Sequence, residues 1–142
     1  MADTMQFDLV SPERRLVSGQ AVSVRIPGTE GDLTAMPGHA PVVTTLRPGI
    51  LVVEMDSGSE EYAVTGGFAQ VTGGEAKVLA DEAMPKSEVT SDFLNDAIAK
   101  ARAAQQAAEG SAADKIAKFL GDLVALGDHI GLAVESGGPA GH

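Results

Sequence analysis

Two periods divide the chain. Between residues 22 and 80 apolar and polar residues alternate. Val22, Val24 and Ile26 fall on one side of an extended chain and Ser23 and Arg25 on the other. Runs of the same kind at 42–46, 50–55, 62–65, 68–72 and 75–80 predict further short strands. Between them lie turn signals: Pro27-Gly28-Thr29-Glu30-Gly31, Pro48-Gly49, Asp56-Ser57-Gly58-Ser59, Gly66-Gly67 and Gly73-Gly74. Short strands with frequent reversals predict a β-sandwich or a β-barrel.

Near Lys86-Ser87 the composition shifts to alanine and the period changes. Thr90 or Ser91 is placed to cap a helix, with Asp92 in the first turn, where the helix dipole favours an acid. Leu94, Ile98, Ala101, Ala104 and Ala108 then share one face. The run stops near Glu109-Gly110, and Ser111-Ala112-Ala113-Asp114 reads as a capping box for a second helix. Its stripe is Ile116, Phe119, Leu120, Leu123, Val124 and Ile130. Gly121, Gly127 and Gly131 are expected to weaken this helix. The expected organisation is a β domain at 1–86, an antiparallel two-helix hairpin at 87–134 and a Gly-rich, disordered tail at 135–142. A unit of about fifty residues rarely stands alone, so the hairpin is expected to dock on the β domain or on a partner.

Composition narrows the function. The chain has 142 residues, with 10 Lys+Arg against 20 Asp+Glu, a formal net charge of −10. Such a charge repels phosphate backbones and anionic lipid, so neither nucleic acid nor a membrane surface is an expected direct partner. The longest uncharged run, 33–46, holds two prolines and is too short to span a bilayer, which predicts a soluble chain. Cysteine is absent, which removes disulfides, thiolate metal sites and thiol nucleophiles together.

Candidate chemistry is sparse. The Gly-rich turn at 27–31 lacks the Lys-Ser/Thr of a phosphate loop, and its acids Glu30 and Asp32 would repel phosphate. No nucleophile elbow occurs, and no two histidines stand at metal spacing. Glu60-Glu61 and Asp81-Glu82 are adjacent on extended chain and point to opposite faces, so neither pair converges on a substrate. No catalytic residue, metal site or cofactor is expected. The residues by themselves describe an acidic interaction protein.

Several segments, taken in order, resemble the epsilon subunit of F-type ATP synthases, called delta in mitochondria. They are Val10-Ser11-Pro12-Glu13-Arg14, then Pro27-Gly28-Thr29-Glu30-Gly31-Asp32, Pro37-Gly38-His39-Ala40-Pro41 and Leu46-Arg47-Pro48-Gly49. Val64-Thr65-Gly66-Gly67-Phe68 and Val78-Leu79-Ala80-Asp81-Glu82-Ala83 follow. The resemblance covers residues 5–84 closely and the helices by architecture. It implies a ten-stranded β-sandwich followed by a two-helix hairpin. It also implies a non-catalytic rotor role, in which the sandwich binds the gamma subunit, stands on the c ring and couples ring rotation to the catalytic head. The expected place is the cytoplasmic face of an energy-coupling membrane, the bacterial inner membrane, reached only through the complex. Position by position, Glu30, Gly31 and Asp32 match the turn that faces the polar loops of the c ring, and Ser11, His39 and Thr44 match the gamma-facing side.

In many members of that family the hairpin also regulates, by reaching the alpha and beta subunits or by binding ATP. Here the pattern departs. The ATP motif, an aliphatic residue followed by Asp, two variable residues, Arg and Ala, aligns with Val89-Thr90-Ser91-Asp92-Phe93-Leu94, which has neither its Asp nor its Arg in place. Without the arginine a phosphate loses its best charge-assisted partner. In residues 111–134 Lys115 and Lys118 stand against Asp114, Asp122 and Asp128, a net charge of −1, unsuited to an acidic loop of the beta subunit. Weak inhibition and weak or no ATP binding are therefore expected. The competing reading is a free-standing sandwich that senses a small ligand such as ATP.

Overall fold

The computed structural model describes residues 3–132. Two compact units make up the chain, Met1–Ser87 and Glu88–His142. The expected tail at 135–142 lies outside the described residues.

The first unit holds ten strands: β1 Met5–Val10, β2 Arg15–Ala21, β3 Ser23–Gly28, β4 Gly31–Ala35, β5 Val42–Thr45, β6 Gly49–Met55, β7 Gly58–Val64, β8 Gly67–Val71, β9 Glu75–Ala80 and β10 Ala83–Pro85. They form two five-stranded sheets, ordered β2-β1-β9-β8-β5 and β10-β7-β6-β3-β4. One core joins them, with Met5, Phe7, Leu9, Val71 and Val78 from the first sheet and Val24, Ile26, Leu51, Val53 and Val64 from the second. The unit is thus a sandwich rather than a barrel. Each large side chain buried there stabilises the fold by about 1.5–3 kcal/mol.

The pairing is antiparallel except between β1 and β9, which run parallel from Gln6↔Glu75 to Val10↔Leu79. This ladder ties the first strand to the ninth. The registers also sort the connections into two ends. One end gathers the turns after β1, β3, β5, β7 and β9; the other gathers those after β2, β4, β6 and β8. Gly67 belongs to the first end, at φ +112°, where an added Cβ would lie 2.1 Å from the Leu79 carbonyl oxygen. Only glycine fits that crossing between sheets.

Pattern and structure differ in instructive places. Val22 is a bend between β2 and β3, carrying the chain from one sheet to the other, and is not part of a strand. β1, β2, β4 and β10 lie outside the alternating runs read from the pattern. Gly19 in β2, Gly31 in β4 and the shortness of β10 dilute the signal in those three strands. Pro27 sits inside β3 without cost to the ladder with β4. Its carbonyl points to the opposite side, accepting from the Arg47 amide at 3.0 Å, so its missing N–H would have pointed there too.

The second unit has a 3-10 turn (Lys86–Glu88) at its boundary, then α1 Ser91–Ala107 and α2 Ser111–Ile130. Thr90 is the N-cap of α1, its hydroxyl accepting from the Phe93 amide at 3.1 Å. Leu94, Ile98 and Ala101 are buried, whereas Ala104 is exposed, so the apolar face of α1 closes after three turns. The capping box expected at Ser111 does not form. Gly110 is the N-cap, at φ 62°, with no side-chain cap, and Ser111 already lies in the helix. Gly131 ends α2 instead of weakening it. At φ 80° its amide bonds the Asp128 carbonyl, and the Leu132 amide bonds that of Gly127 at 2.9 Å, a Schellman closure. Only three residues join α1 to α2, so the packed pair is an antiparallel hairpin.

Tyr62 on β7 is the chain's single tyrosine. Its ring is buried and its hydroxyl donates to Glu60 Oε1 at 3.0 Å. Burial first, and the carboxylate beside it second, push the phenol up to about 12. The unfolded phenol titrates near 10. The raised native value makes the contribution complete below pH about 10 and erodes it as pH rises towards 12. Absorbance titration of the native protein should show a phenolate midpoint near 12, with stability falling across that window. A native midpoint near 10 would contradict the burial argument.

Candidate subunit interface

The candidate residues distribute over both ends of the sandwich. Glu30, Gly31 and Asp32 are exposed together at the β3–β4 reversal, where Gly28 pairs Gly31 across Thr29 and Glu30. Gly31 has φ +127°, a conformation that favours glycine. Gly28 is required by space. An added Cβ would stand 2.7 Å from the Gly31 carbonyl oxygen and 3.1 Å from Thr44 Oγ1. The turn is tied to the end of β5 and the segment that follows it: the Thr29 amide donates to the Thr45 carbonyl at 2.8 Å, and Arg47 Nη1 donates to that of Gly28 at 2.6 Å. Arg47 Nη2 pairs with Asp32 Oδ1.

Ser11 opens the β1–β2 turn at this same end. It is buried, and its amide and hydroxyl both donate to the Arg14 carbonyl, at 2.9 and 3.3 Å. His39 lies at the opposite end. Met36-Pro37-Gly38-His39 is a tight turn with Gly38 at φ +86° and the His39 amide bonded to the Met36 carbonyl at 3.0 Å. The Gly38 amide bonds the Gly73 carbonyl in the β8–β9 turn, and His39 Nδ1 lies 2.6 Å from the Ala40 carbonyl oxygen. Thr44 is half-buried and lies beside Gly28, while its neighbours Val43 and Thr45 are exposed. Ser11, His39 and Thr44 are therefore not clustered. Thr44 abuts the Glu30 turn, and Ser11 and His39 mark opposite ends of the β2-β1-β9-β8-β5 sheet.

The outer face of that sheet holds a feature absent from the sequence reading. Residues directly opposite in adjacent strands share a face. Val10 pairs Leu79, Leu79 pairs Phe68 and Phe68 pairs Thr45, which makes one row across β1, β9, β8 and β5. Phe68 is 47% exposed, Leu79 38%, and Val43, one position diagonal to Phe68, 66%. Large apolar side chains grouped on a strand face away from the core mark a contact surface. The signal was in the alternation: Phe68, Leu79 and Val43 are apolar residues in the outward rows of β8, β9 and β5.

The helical unit carries a shallow cleft between Arg102, Gln105 and Gln106 of α1 and Ala117, Leu120, Gly121 and Val124 of α2. Among the described residues no three His, Cys, Asp or Glu gather to hold a metal ion. No helix there is long and apolar enough to cross a membrane.

Residues 4–86 match the family described as ATP synthase, Delta/Epsilon chain, beta-sandwich domain. The chain is 58% identical over 132 residues to the ATP synthase epsilon chain of Rhodobacter capsulatus, covering 93% of this chain and 100% of that one. It is 51% identical over 139 residues to the ATP synthase epsilon chain of Paracoccus denitrificans, covering 93% and 94%. Among solved structures it resembles a chain of the Euglena gracilis mitochondrial ATP synthase, with TM-score 0.66, 26% identity and coverage of 89% and 80%. A chain of the Tetrahymena thermophila mitochondrial ATP synthase shares the fold at TM-score 0.66 and 16% identity, covering 89% and 96%. The chain belongs to the delta/epsilon subunit family of F-type ATP synthases, whose members are non-catalytic.

Gly28→Ala should cost about 2 kcal/mol of stability in urea unfolding of the full chain, because backbone and Thr44 both have to yield. A variant within 0.5 kcal/mol of the parent, as a rough bound for a neutral surface change, would mean the turn relaxes freely.

Proposed function

We propose that the chain is the rotor subunit of the central stalk that couples c-ring rotation to gamma and the catalytic head. The observation that carries this reading is the pairing of two unlike surfaces on one rigid sandwich. An apolar row, Val10-Leu79-Phe68 with Val43, runs across one outer face, and an acidic reversal, Glu30-Gly31-Asp32, stands at the end of the sandwich beside it. The apolar row suits a helical, partly apolar partner, which supports gamma as its occupant. The acidic reversal suits polar or basic loops, which supports the c ring. A torque-transmitting part needs two such attachments fixed relative to each other, and no reacting group. Family membership and the structural neighbour whose described assembly is "OSCP/F1/c-ring" support the same reading.

In this reading Ser11 and His39 flank the gamma surface at its two ends, and Thr44 supports the ring-facing turn from behind. The sandwich reaches the cytoplasmic face of a bacterial inner membrane through the complex alone. The helical hairpin inhibits weakly. Its one arginine, Arg102, lies three turns into α1, away from the start where the family's ATP motif would stand.

Gentle solubilisation of membranes containing the tagged chain should recover alpha, beta, gamma and c subunits. Phe68→Gln should reduce recovery of gamma several-fold while leaving the fold intact by circular dichroism, since the ring is half exposed. Recovery of the intact chain alone would refute the rotor reading and favour the ligand-sensing one.

Truncation after residue 86 should leave ATP hydrolysis by the assembled enzyme within about two-fold, as expected where the hairpin has no net attraction to an acidic loop. Calorimetry of the isolated full chain should give no ATP binding tighter than millimolar. A several-fold rise in hydrolysis, or tight ATP binding, would restore a regulatory role.

A further inference from the structure

We infer that Arg47 is the positioning residue of the β3–β4 reversal, and that its clasp on Gly28 and Asp32 leaves Glu30 as the acid offered to the ring. The second half rests on the reading of this turn as ring-facing; the first half does not.

Three donors of Arg47 converge on this turn. Its backbone amide reaches the Pro27 carbonyl at 3.0 Å, Nη1 reaches the Gly28 carbonyl at 2.6 Å and Nη2 reaches Asp32 Oδ1 at 2.5 Å. Gly28 precedes the reversal and Asp32 follows it, so one planar group staples both arms. A two-residue reversal flanked by glycines has little of its own to hold it, because glycine loses the most conformational freedom on ordering. The staple needs a fork: guanidinium presents several donors in fixed geometry, whereas an ammonium is a point charge on a flexible stem.

The root of the fork is itself fixed. Leu46 is buried, and its amide bonds the Gly67 carbonyl at 2.9 Å. Pro48 holds the preceding residue, Arg47, in extended backbone. Gly49 follows where a Cβ would meet Pro27 Cβ at 2.9 Å, so β6 starts close against β3.

The charge consequence is local. Asp32 is paired within the sandwich, whereas Glu30 is exposed and, among the described residues, makes no ion pair or side-chain hydrogen bond. A cationic or polar loop approaching this end would compete with Arg47 for the charge of Asp32 but would compete with nothing for Glu30. The guanidinium would then act in positioning and Glu30 in contact.

Two measurements on the full chain test the two halves separately. Hydrogen exchange at the Thr29 amide, bonded to the Thr45 carbonyl, should be about tenfold faster in Arg47→Gln, and Arg47→Lys should recover only part of the protection. Unchanged exchange overturns the clasp. Affinity for a purified gamma–c-ring subcomplex should fall about tenfold in Glu30→Gln, and that loss should persist in full on top of Arg47→Gln. Asp32→Asn should lower affinity no more than Arg47→Gln and add nothing to it, because it removes one of the two side-chain bonds that Arg47→Gln removes. An Asp32→Asn loss as large as that of Glu30→Gln and additive with Arg47→Gln would overturn the assignment of Glu30. If no turn variant changes affinity, the ring-facing reading and the Glu30 half fall together, and the exchange result still decides the clasp.

Discussion

The apposition of two inner strand faces carries the β unit. Phe7 and Leu9 from one sheet meet Ile26, Leu51 and Val53 from the other, and with no cysteine in the chain no disulfide supplements them. Because side chains alternate along a strand, committing one row to this core forces the other row outward. The outward row is therefore free of packing duty, and its composition reports on contact. In most strands it is polar, as with Gln6 and Asp8 on β1 or Lys77 on β9. Where β1, β9 and β8 approach the turn end it becomes Val10, Leu79 and Phe68. Leaving these in water costs hydrophobic free energy.

The same alternation explains why the ends differ from the faces. Four of the five changes of sheet use very short links: Val22 alone after β2, Leu46 to Pro48 after β5, Thr65 and Gly66 after β7, and Asp81 and Glu82 after β9. Links this tight demand close backbone approach, which Gly28, Gly49 and Gly67 permit. They also bring backbone carbonyls into reach of a single side chain, and Arg47 occupies that position. The hydrogen bonds that hold the acidic reversal thus come from how the chain crosses between sheets rather than from the reversal's own sequence.

Much of this was legible in the residues. The six alternating runs, the turns between them and the change of period near Lys86 locate most strands and both helices. The ten-strand count came only through the family resemblance. β1 carries a clear alternation of Met5, Phe7 and Leu9, but it lies before the run of turns that made the others conspicuous. β4 presents one buried residue, Ala35, too small to signal a face. The helix boundaries show how backbone geometry overrides side-chain pattern. Gly110 takes a cap conformation that displaces Ser111 into the helix, and Gly131 closes it. At the candidate interface the acidic turn was legible as a motif. The burial of Ser11, the inward setting of Thr44 and the far placement of His39 depend on register, which no local pattern encodes. The staple by Arg47 spans fifteen residues to Asp32 and follows from tertiary proximity alone.

The central claim is that one rigid sandwich holds two different partners, gamma on its apolar outer face and the c ring at its acidic end. The most direct test places a photo-reactive amino acid at Phe68 in one variant and at Glu30 in another, each assembled into the membrane-bound complex, and identifies the cross-linked subunit by mass spectrometry. The account predicts gamma from position 68 and c from position 30. Cross-links from both positions to the same subunit, or from position 68 to c and position 30 to gamma, would contradict it.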